Sequence, residues 1–422
     1  MSTSERADTR QALVWLALLT VAFVLTVALS TPWDWLPGAQ LGRVDPTAGL
    51  PPEQIDRIAA YREQVVPVGL LGALASLVLA VFLGLTRRGA RLVRRLPGAR
   101  WWWLQVVVAV IVLQLLGRVV SLTSAIRAEQ VRHEFGLSTQ GWWGWGADQL
   151  TAYAVGVVTI SLLALLVVGL WRRVRRWWFP ASLFAAALVV AGSFLYPLVV
   201  EPLFAHFTPM PDGAVRSSLL ALADRDGVAV DEVLVADASA RTTSLNAYVS
   251  GFGATKRIVV YDTLLTRATP TEIRLVVAHE LGHAENGDVL SGTLMGALGA
   301  AAGVTLLALI VKSPRTRRTA GYGGPRDAAV VPAVLALVAL GSFFALPVHN
   351  VVSRAVEARA DLHALELTAD PGTFAAAQRR LALANLSTPD PPGLLYVWYA
   401  SHPTVSQRLA LAAAWSAARE PG

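Results

Sequence analysis

The stretch TEIRLVVAHELGHAENGD, residues 271–288, decides how the rest of the chain is read. With Thr269 and Pro270 before it, it opens as Thr-Pro-Thr-Glu, a helix-start signature. It then continues without proline through an apolar face of Ile273, Val276, Val277 and Leu281. The pattern predicts a helix. Positions four apart stack on one helical face, so His279 and His283 can turn imidazole nitrogens toward one cation while Glu280 is carried beside it. This is half of a zinc site. Because H-E-x-x-H also arises on ordinary helix surfaces, the remaining chain must supply a third ligand, a substrate groove and a reason for the location.

The 422 residues are 54% hydrophobic and only 15% charged, with 14 Trp. A soluble domain is about a quarter charged, so this composition points to a bilayer. The formal net charge is +7 and nearly all basic residues are Arg, clustered at the ends of apolar runs where the positive-inside rule puts them. The charge therefore reads as topology. A nucleic-acid-binding role fails, because no soluble segment interleaves Arg with an aromatic platform. With no Cys, disulfides and thiolate ligands are excluded, leaving His and carboxylates to hold zinc.

Seven apolar runs fall within the range of about 17–25 residues that spans a hydrocarbon core. They are residues 13–29, 65–85, 101–122, 151–170, 178–200 (interrupted by Pro197), 289–311 and 328–349. The first follows Arg6 and Arg10; its end, Ala28-Leu29-Ser30, has a faint signal-peptidase character, but its length favours a retained anchor. Residues 32–64 and 127–148 are polar segments outside the bilayer, and residues 87–100 form an Arg-rich loop. Gly292, Gly296, Gly299 and Gly303 place small residues along the sixth run, allowing neighbouring helices to approach.

Between the fifth and sixth runs the composition becomes that of a small soluble domain. Residues 213–226 read as an amphipathic helix and residues 232–236 as a strand. Residues 246–252 and 257–261 read as a hairpin around Gly253-Ala254-Thr255. After the seventh run, residues 350–369 read as a charge-rich helix, and residues 371–422 as two helices separated by Pro389-Asp390-Pro391-Pro392. The organisation is therefore a five-span region (1–200), a metalloprotease part with the histidine helix (201–288), two further spans with a basic loop (289–349) and a helical completion (350–422). The fold class is predominantly α, a bundle of about seven membrane helices with a small α+β metalloprotease domain split around the last two.

The third ligand should come from a separate element. SRAVEARAD places Glu357 and Asp361 four apart on one helical face just past the seventh run. Glu357 is the chosen ligand, and Asp361 suits a hydrogen bond to the non-coordinating nitrogen of a ligand His. The competing reading is an Arg-Glu-Arg-Asp surface paired at i, i+4. His363 and Glu366 are rival ligands that point to other helical faces. Two His, one carboxylate and an open position make a catalytic site, one Zn2+ per chain, with Glu280 as the proton acceptor. Asn246 and His402 are candidate donors to an oxyanion. His133, His206 and His349 lack partners at ligand spacing and read as interfacial or packing residues.

The motifs SLNAYVSGFG, IVVYDTLL, VVAHELGHAENGD, SRAVEARAD and SHPTVSQRL, with FGLSTQGW and YPLVVEPLF, together resemble the type I CAAX prenyl endopeptidase family of integral-membrane zinc metalloproteases. The resemblance covers most of the chain from about Phe135 and keeps the family's motif order. It implies a seven-span bundle with zinc held by His279, His283 and Glu357, Glu280 as general base, and Asn246 and His402 holding substrate or transition state. It also implies that the strand beginning Asn246-Ala247-Tyr248 pairs with an extended substrate, as strand addition permits. Relatives of this kind trim prenylated C-termini.

His283 lies six residues before the sixth run and Glu357 eight after the seventh, so both ligands sit within about 12 Å of a membrane boundary. Membrane-associated or strongly apolar substrates, lipidated C-termini among them, are therefore expected. The rival hypothesis from another class is a membrane scaffold or transport protein with a structural or regulatory zinc, for which Glu280 would have no use. A multi-pass location in a bacterial-type plasma membrane is expected. The Arg-rich loops share one side, which the positive-inside rule makes cytoplasmic and which puts the catalytic part outside; the resemblance implies the opposite orientation.

Overall fold

The computed structural model describes residues 3–38, 41–98, 100–251, 256–324 and 326–419. Seven of its helices are long and apolar enough to cross a membrane. The N-terminal region contributes α1 (Thr3–Ser30), α2 (Pro52–Gly84), a short α3 (Arg87–Arg95), α4 (Trp102–Glu134), α5 (Trp142–Arg173) and α6 (Trp178–Leu195). After α6 the ladder loosens into a π turn over Tyr196–Val200 and a 3-10 turn over Glu201–Leu203, where Pro197 and Pro202 cannot donate the next bonds.

The domain between the spans holds β1 (Phe207–Pro209), α7 (Ala214–Arg225), β2 (Glu232–Ala236), β3 (Ala247–Ser250), β4 (Arg257–Tyr261), α8 (Asp262–Arg267) and α9 (Pro270–Glu285). The chain re-enters the bundle as α10 (Asp288–Lys312) and α11 (Pro314–Ala320), and leaves it as α12 (Val331–Thr368). It ends in α13 (Pro371–Ala384), α14 (Gly393–Tyr399) and α15 (Val405–Ala417). The sheet order is β1-β2-β4-β3, with β2 and β4 parallel and the other pairs antiparallel. β3 is thus an edge strand, in register with β4 from Ala247 opposite Val260 to Ser250 opposite Arg257.

Two cores form. In the bundle, α10 packs on α6 and α1, and α2 packs on α4 and α12. In the protease part, Leu219, Ile258, Ile273, Leu281, Leu365, Phe374 and Leu411 are all fully buried in one cluster, joining the sheet, α9, α12 and the C-terminal helices. Each such side chain contributes about 1.5–3 kcal/mol by leaving water. The elements separated most widely in sequence are therefore held together at the point where α9 meets α12.

Several expectations are corrected. Of the polar residues 127–148, whose second half reads as an ordered loop or short helix, only 135–141 connect helices: α4 continues to Glu134 and α5 begins at Trp142. Likewise α2 starts at Pro52, within the polar segment 32–64 that precedes the second apolar run. Hydropathy marks where lipid ends, whereas a helix continues as long as its backbone bonds are made. Residues 350–369 are not a separate helix but the end of the 38-residue α12. Three helices, not two, follow residue 371. Of the glycines in α10, a Cβ at Gly296 would meet Val189 and one at Gly299 would meet Phe23, while Gly292 and Gly303 face open space. The closest helix approach is elsewhere, at Gly84, where a Cβ would lie 2.2 Å from Ala336 of α12. The proposed turn at Gly253-Ala254-Thr255, and Phe252, lie outside the described residues.

Candidate metal centre

α9 is fixed at its start by a capping box in which the Thr269 hydroxyl accepts from the Glu272 amide and Glu272 accepts from the Thr269 amide. Arg380 of α13 binds the same Glu272 carboxylate at 2.6 Å, so helix and domain are tied together at that end. One turn apart near the other end, His279 and His283 face α12. Their Nε2 atoms are 3.3 Å apart. Glu357 places Oε2 3.3 Å from Nε2 of His279 and Oε1 3.6 Å from Nε2 of His283. Ligand bonds of about 2.0–2.2 Å in a tetrahedral zinc site separate neighbouring donors by about 3.3–3.6 Å. The three donors fit one such ion.

The outward-facing nitrogens support the same fit. Nδ1 of His283 lies 2.8 Å from Asp288, and Nδ1 of His279 lies 2.9 Å from the fully buried Asp361. Carboxylates on Nδ1 leave both Nε2 lone pairs for a metal. The Asp361 contact is a close charge pair, not a well-aligned hydrogen bond. Burial alone would lower the His279 pKa, but Asp361 and Glu357 outweigh it and raise it to about 10. The two carboxylates thus make this position favourable to positive charge. Glu280 lies beside these donors; burial raises its pKa, relieved in part by His279, His283 and the Val249 amide.

Further residues that sequence reasoning had not assigned hold this geometry. Arg408 of α15 donates to Glu357 at 3.0 Å and to Asp361 at 3.0 Å. Arg359 binds Asp288. Arg354 donates to the carbonyls of Tyr396 (3.1 Å) and Ala400 (2.7 Å), anchoring the segment that carries His402. Asn385 accepts from the Leu245 amide, next to Asn246. Asp288, Arg354, Arg359 and Arg408 all lie inside motifs that had been singled out, but their partners are distant in sequence or lie beyond a helix end.

His402 lies with Nε2 3.4 Å from Glu357, and it lines, with Asn246, His279 and Glu280, a cavity of about 850 Å³. Ala247 and Tyr248 do not line it. Ala247 is buried, and Tyr248 packs on Tyr261 and bonds Glu201. Only their backbone remains available, on the edge strand. Of the rival ligands, His363 pairs with Asp226 at 2.8 Å and Glu366 with Arg419 at 3.6 Å. His133 stacks near Trp142 and contacts Glu129, whereas His349 is exposed.

The sequence profile of peptidase family M48 matches residues 209–416, and that of the CAAX prenyl protease N-terminal region, five membrane helices, matches residues 49–206. The uncharacterized metalloprotease YhfN of Bacillus subtilis is 32% identical over 310 residues, 73% of each chain. The chain belongs to peptidase family M48. This M48 member is an integral, multi-pass membrane metalloendopeptidase. CAAX prenyl protease 1 of Saccharomyces cerevisiae is 29% identical over 249 residues, 55% of this chain and 54% of that one. The crystal structure of S. mikatae Ste24p shares the fold with a TM-score of 0.78 over 95% of this chain and 98% of that one, at 20% identity.

In this M48 chain the cavity does not stop at the protease part. Its far wall is one face of α2, formed by Val66, Gly69, Leu70 and Ala73. Those residues belong to a membrane-crossing helix, so the chamber joins the metal centre to the bundle. A second cavity of about 640 Å³ adjoins it at Asn246 and His402 and is polar, with Arg132, Gln140, Asp148 and Arg241 in its lining.

Proposed function

We propose that the chain is a zinc endopeptidase acting on membrane-associated or strongly apolar peptides, with lipidated C-termini among the candidate substrates. The observation that carries this reading is the convergence of His279, His283 and Glu357 at donor separations suited to one ion, in a chamber bounded by a membrane helix. When bound, zinc polarises the scissile carbonyl and lowers the pKa of water to about 7.

Glu280 takes the proton from the attacking water and passes it to the leaving amine; burial, by raising its pKa, brings it closer to that double task. Asp288 and Asp361 hold the imidazole tautomers. Asn246 and His402, which line the same chamber, hold the oxyanion. The substrate backbone lies along β3. The Asn246 carbonyl accepts from the Tyr261 amide at 3.1 Å, so the alternate residues Ala247 and Val249 direct their backbone groups away from β4, and the Val249 amide reaches Glu280. An extended peptide added there is delivered to the base. Its apolar portion occupies the side of the chamber formed by α2.

Replacing Glu280 by Gln should leave zinc content at one ion per chain and abolish cleavage, whereas a structural or regulatory metal would leave function untouched by the change. Turnover in detergent should favour a lipid-linked peptide over its soluble equivalent; equal rates would refute the assignment of substrate class. The Arg-rich helix ends support an orientation with the metal centre outside the cytoplasm. A reporter active only in the cytoplasm, fused after Gly422, should be silent.

A further inference from the structure

At the other end of the bundle, α5 ends in Arg172 and Arg173, α4 begins at Trp102, and Arg326 precedes α12. These residues, with Gly169, line a cavity of about 290 Å³. Arg172 is preorganised there. Its guanidinium lies 5.0 Å from the Trp102 ring centroid and donates to the Arg326 carbonyl at 3.0 Å. Gly169 makes room for the indole, since a Cβ would lie 3.2 Å from it. No carboxylate is among the described lining residues, and Arg173 and Arg326 both repel Arg172. The neighbouring Arg94 is different, because Asp327 neutralises it at 2.7 Å. Three arginines lining one pocket with no acid among its described lining residues, at the end of membrane helices and beside an interfacial Trp, call for an anion with several acceptor oxygens.

We propose that this pocket binds a phosphate group, presented by an anionic phospholipid of the adjoining leaflet. The volume suits one phosphodiester, and the rim of span ends places it at headgroup depth. Along α12 it lies about 39 Å from Glu357, taking 26 residues at 1.5 Å each between Val331 and Glu357, so it is separate from the metal centre.

The test titrates the full-length protein, in neutral detergent, with short-chain phosphatidylglycerol, phosphatidylcholine or inorganic phosphate, and reads the midpoint of thermal stabilisation. Phosphatidylglycerol should stabilise the wild type and phosphatidylcholine should not. The double change Arg173→Gln with Arg326→Gln should raise the midpoint roughly 30-fold, about fivefold per arginine near an anionic headgroup. Arg326→Gln alone, at an exposed position, should raise it about fivefold and guards against misfolding of the double variant. Arg315→Gln with Arg318→Gln removes the same charge outside the pocket and should leave the midpoint unchanged. An equal loss in both double variants would mean diffuse attraction and would overturn the site. Full stabilisation by inorganic phosphate at the same concentrations would overturn the lipid as its source.

Discussion

The Asp361→Asn change tests the electrostatic design of the metal centre. In the metal-free protein the Asp361 carboxylate, 2.9 Å from Nδ1, is the strongest influence opposing burial and holds the His279 pKa at about 10. At pH 7 an incoming metal must therefore displace the proton that Asp361 and Glu357 hold on His279. Wild-type zinc affinity should accordingly rise close to tenfold per pH unit between pH 7 and 9, with release of the His279 proton. In Asp361→Asn the raising influence is lost, so the His279 pKa falls and this slope flattens. Once pH is well above the wild-type pKa and the proton no longer competes, the variant should bind 10–100-fold more weakly, about 1.4–2.8 kcal/mol, because the imidazole has lost its orienting carboxylate. At pH 7 the two effects oppose and the gap narrows. Chelator competition across this range measures both. Parallel curves with a constant gap would refute the claim that Asp361 controls the proton on His279, and coincident curves would remove it from the site altogether.

Two other changes probe the frame around the metal. In Gly282→Ala the new Cβ would lie 2.9–3.1 Å from the Cβ, Cγ and Cδ2 of His363, whose ring is fixed by Asp226. Overpacking costs about 1–3 kcal/mol and outweighs the helix-propensity gain of about 1 kcal/mol, so the variant should melt below wild type; a higher melting temperature would contradict the close α9–α12 contact. Arg354→Gln frees the Tyr396 and Ala400 carbonyls and the ring stacked 4.2 Å from the guanidinium. With His402 less firmly placed, kcat should fall about tenfold at unchanged zinc content, and metal loss in proportion to activity would show instead that Arg354 supports the ion.

The parts of the site legible in the sequence are those encoded by helical periodicity. His279, Glu280 and His283 share one helix, Glu357 and Asp361 share another, and spacing alone sets which faces they occupy. Asp288 was not legible because it lies past the end of α9: Gly287 adopts φ 64°, a left-handed conformation, and α10 starts in a new direction that brings Asp288 against His283. Arg408 was hidden for a different reason. It meets Glu357 and Asp361 only because α15 packs beside α12 across 47 to 51 residues of chain, and no local pattern encodes that contact. Helices outrun the apolar spans where polar residues continue an α-helix beyond the bilayer, as in α4 and α12.

That continuity gives the fold its functional logic. α9 and α10 are separated only by Asn286 and Gly287, and α12 runs without a break from the bundle through Glu357 to Thr368. Both helices that carry the proposed ligands are therefore attached to membrane crossings, and donor separations of 3.3–3.6 Å depend on how those crossings pack as much as on the protease core. Pro347 removes one backbone bond midway, but α12 stays helical on both sides of it, so rotation of α12 within the bundle would carry Glu357 off the histidines. Arg408 and the Asp226–His363 pair oppose such rotation from the soluble side, while the contact of Gly84 with Ala336 opposes it from the membrane side. The metal centre is thus clamped at both ends of one helix, which is a physical reason for a protease part that is split by two membrane crossings instead of being appended to them.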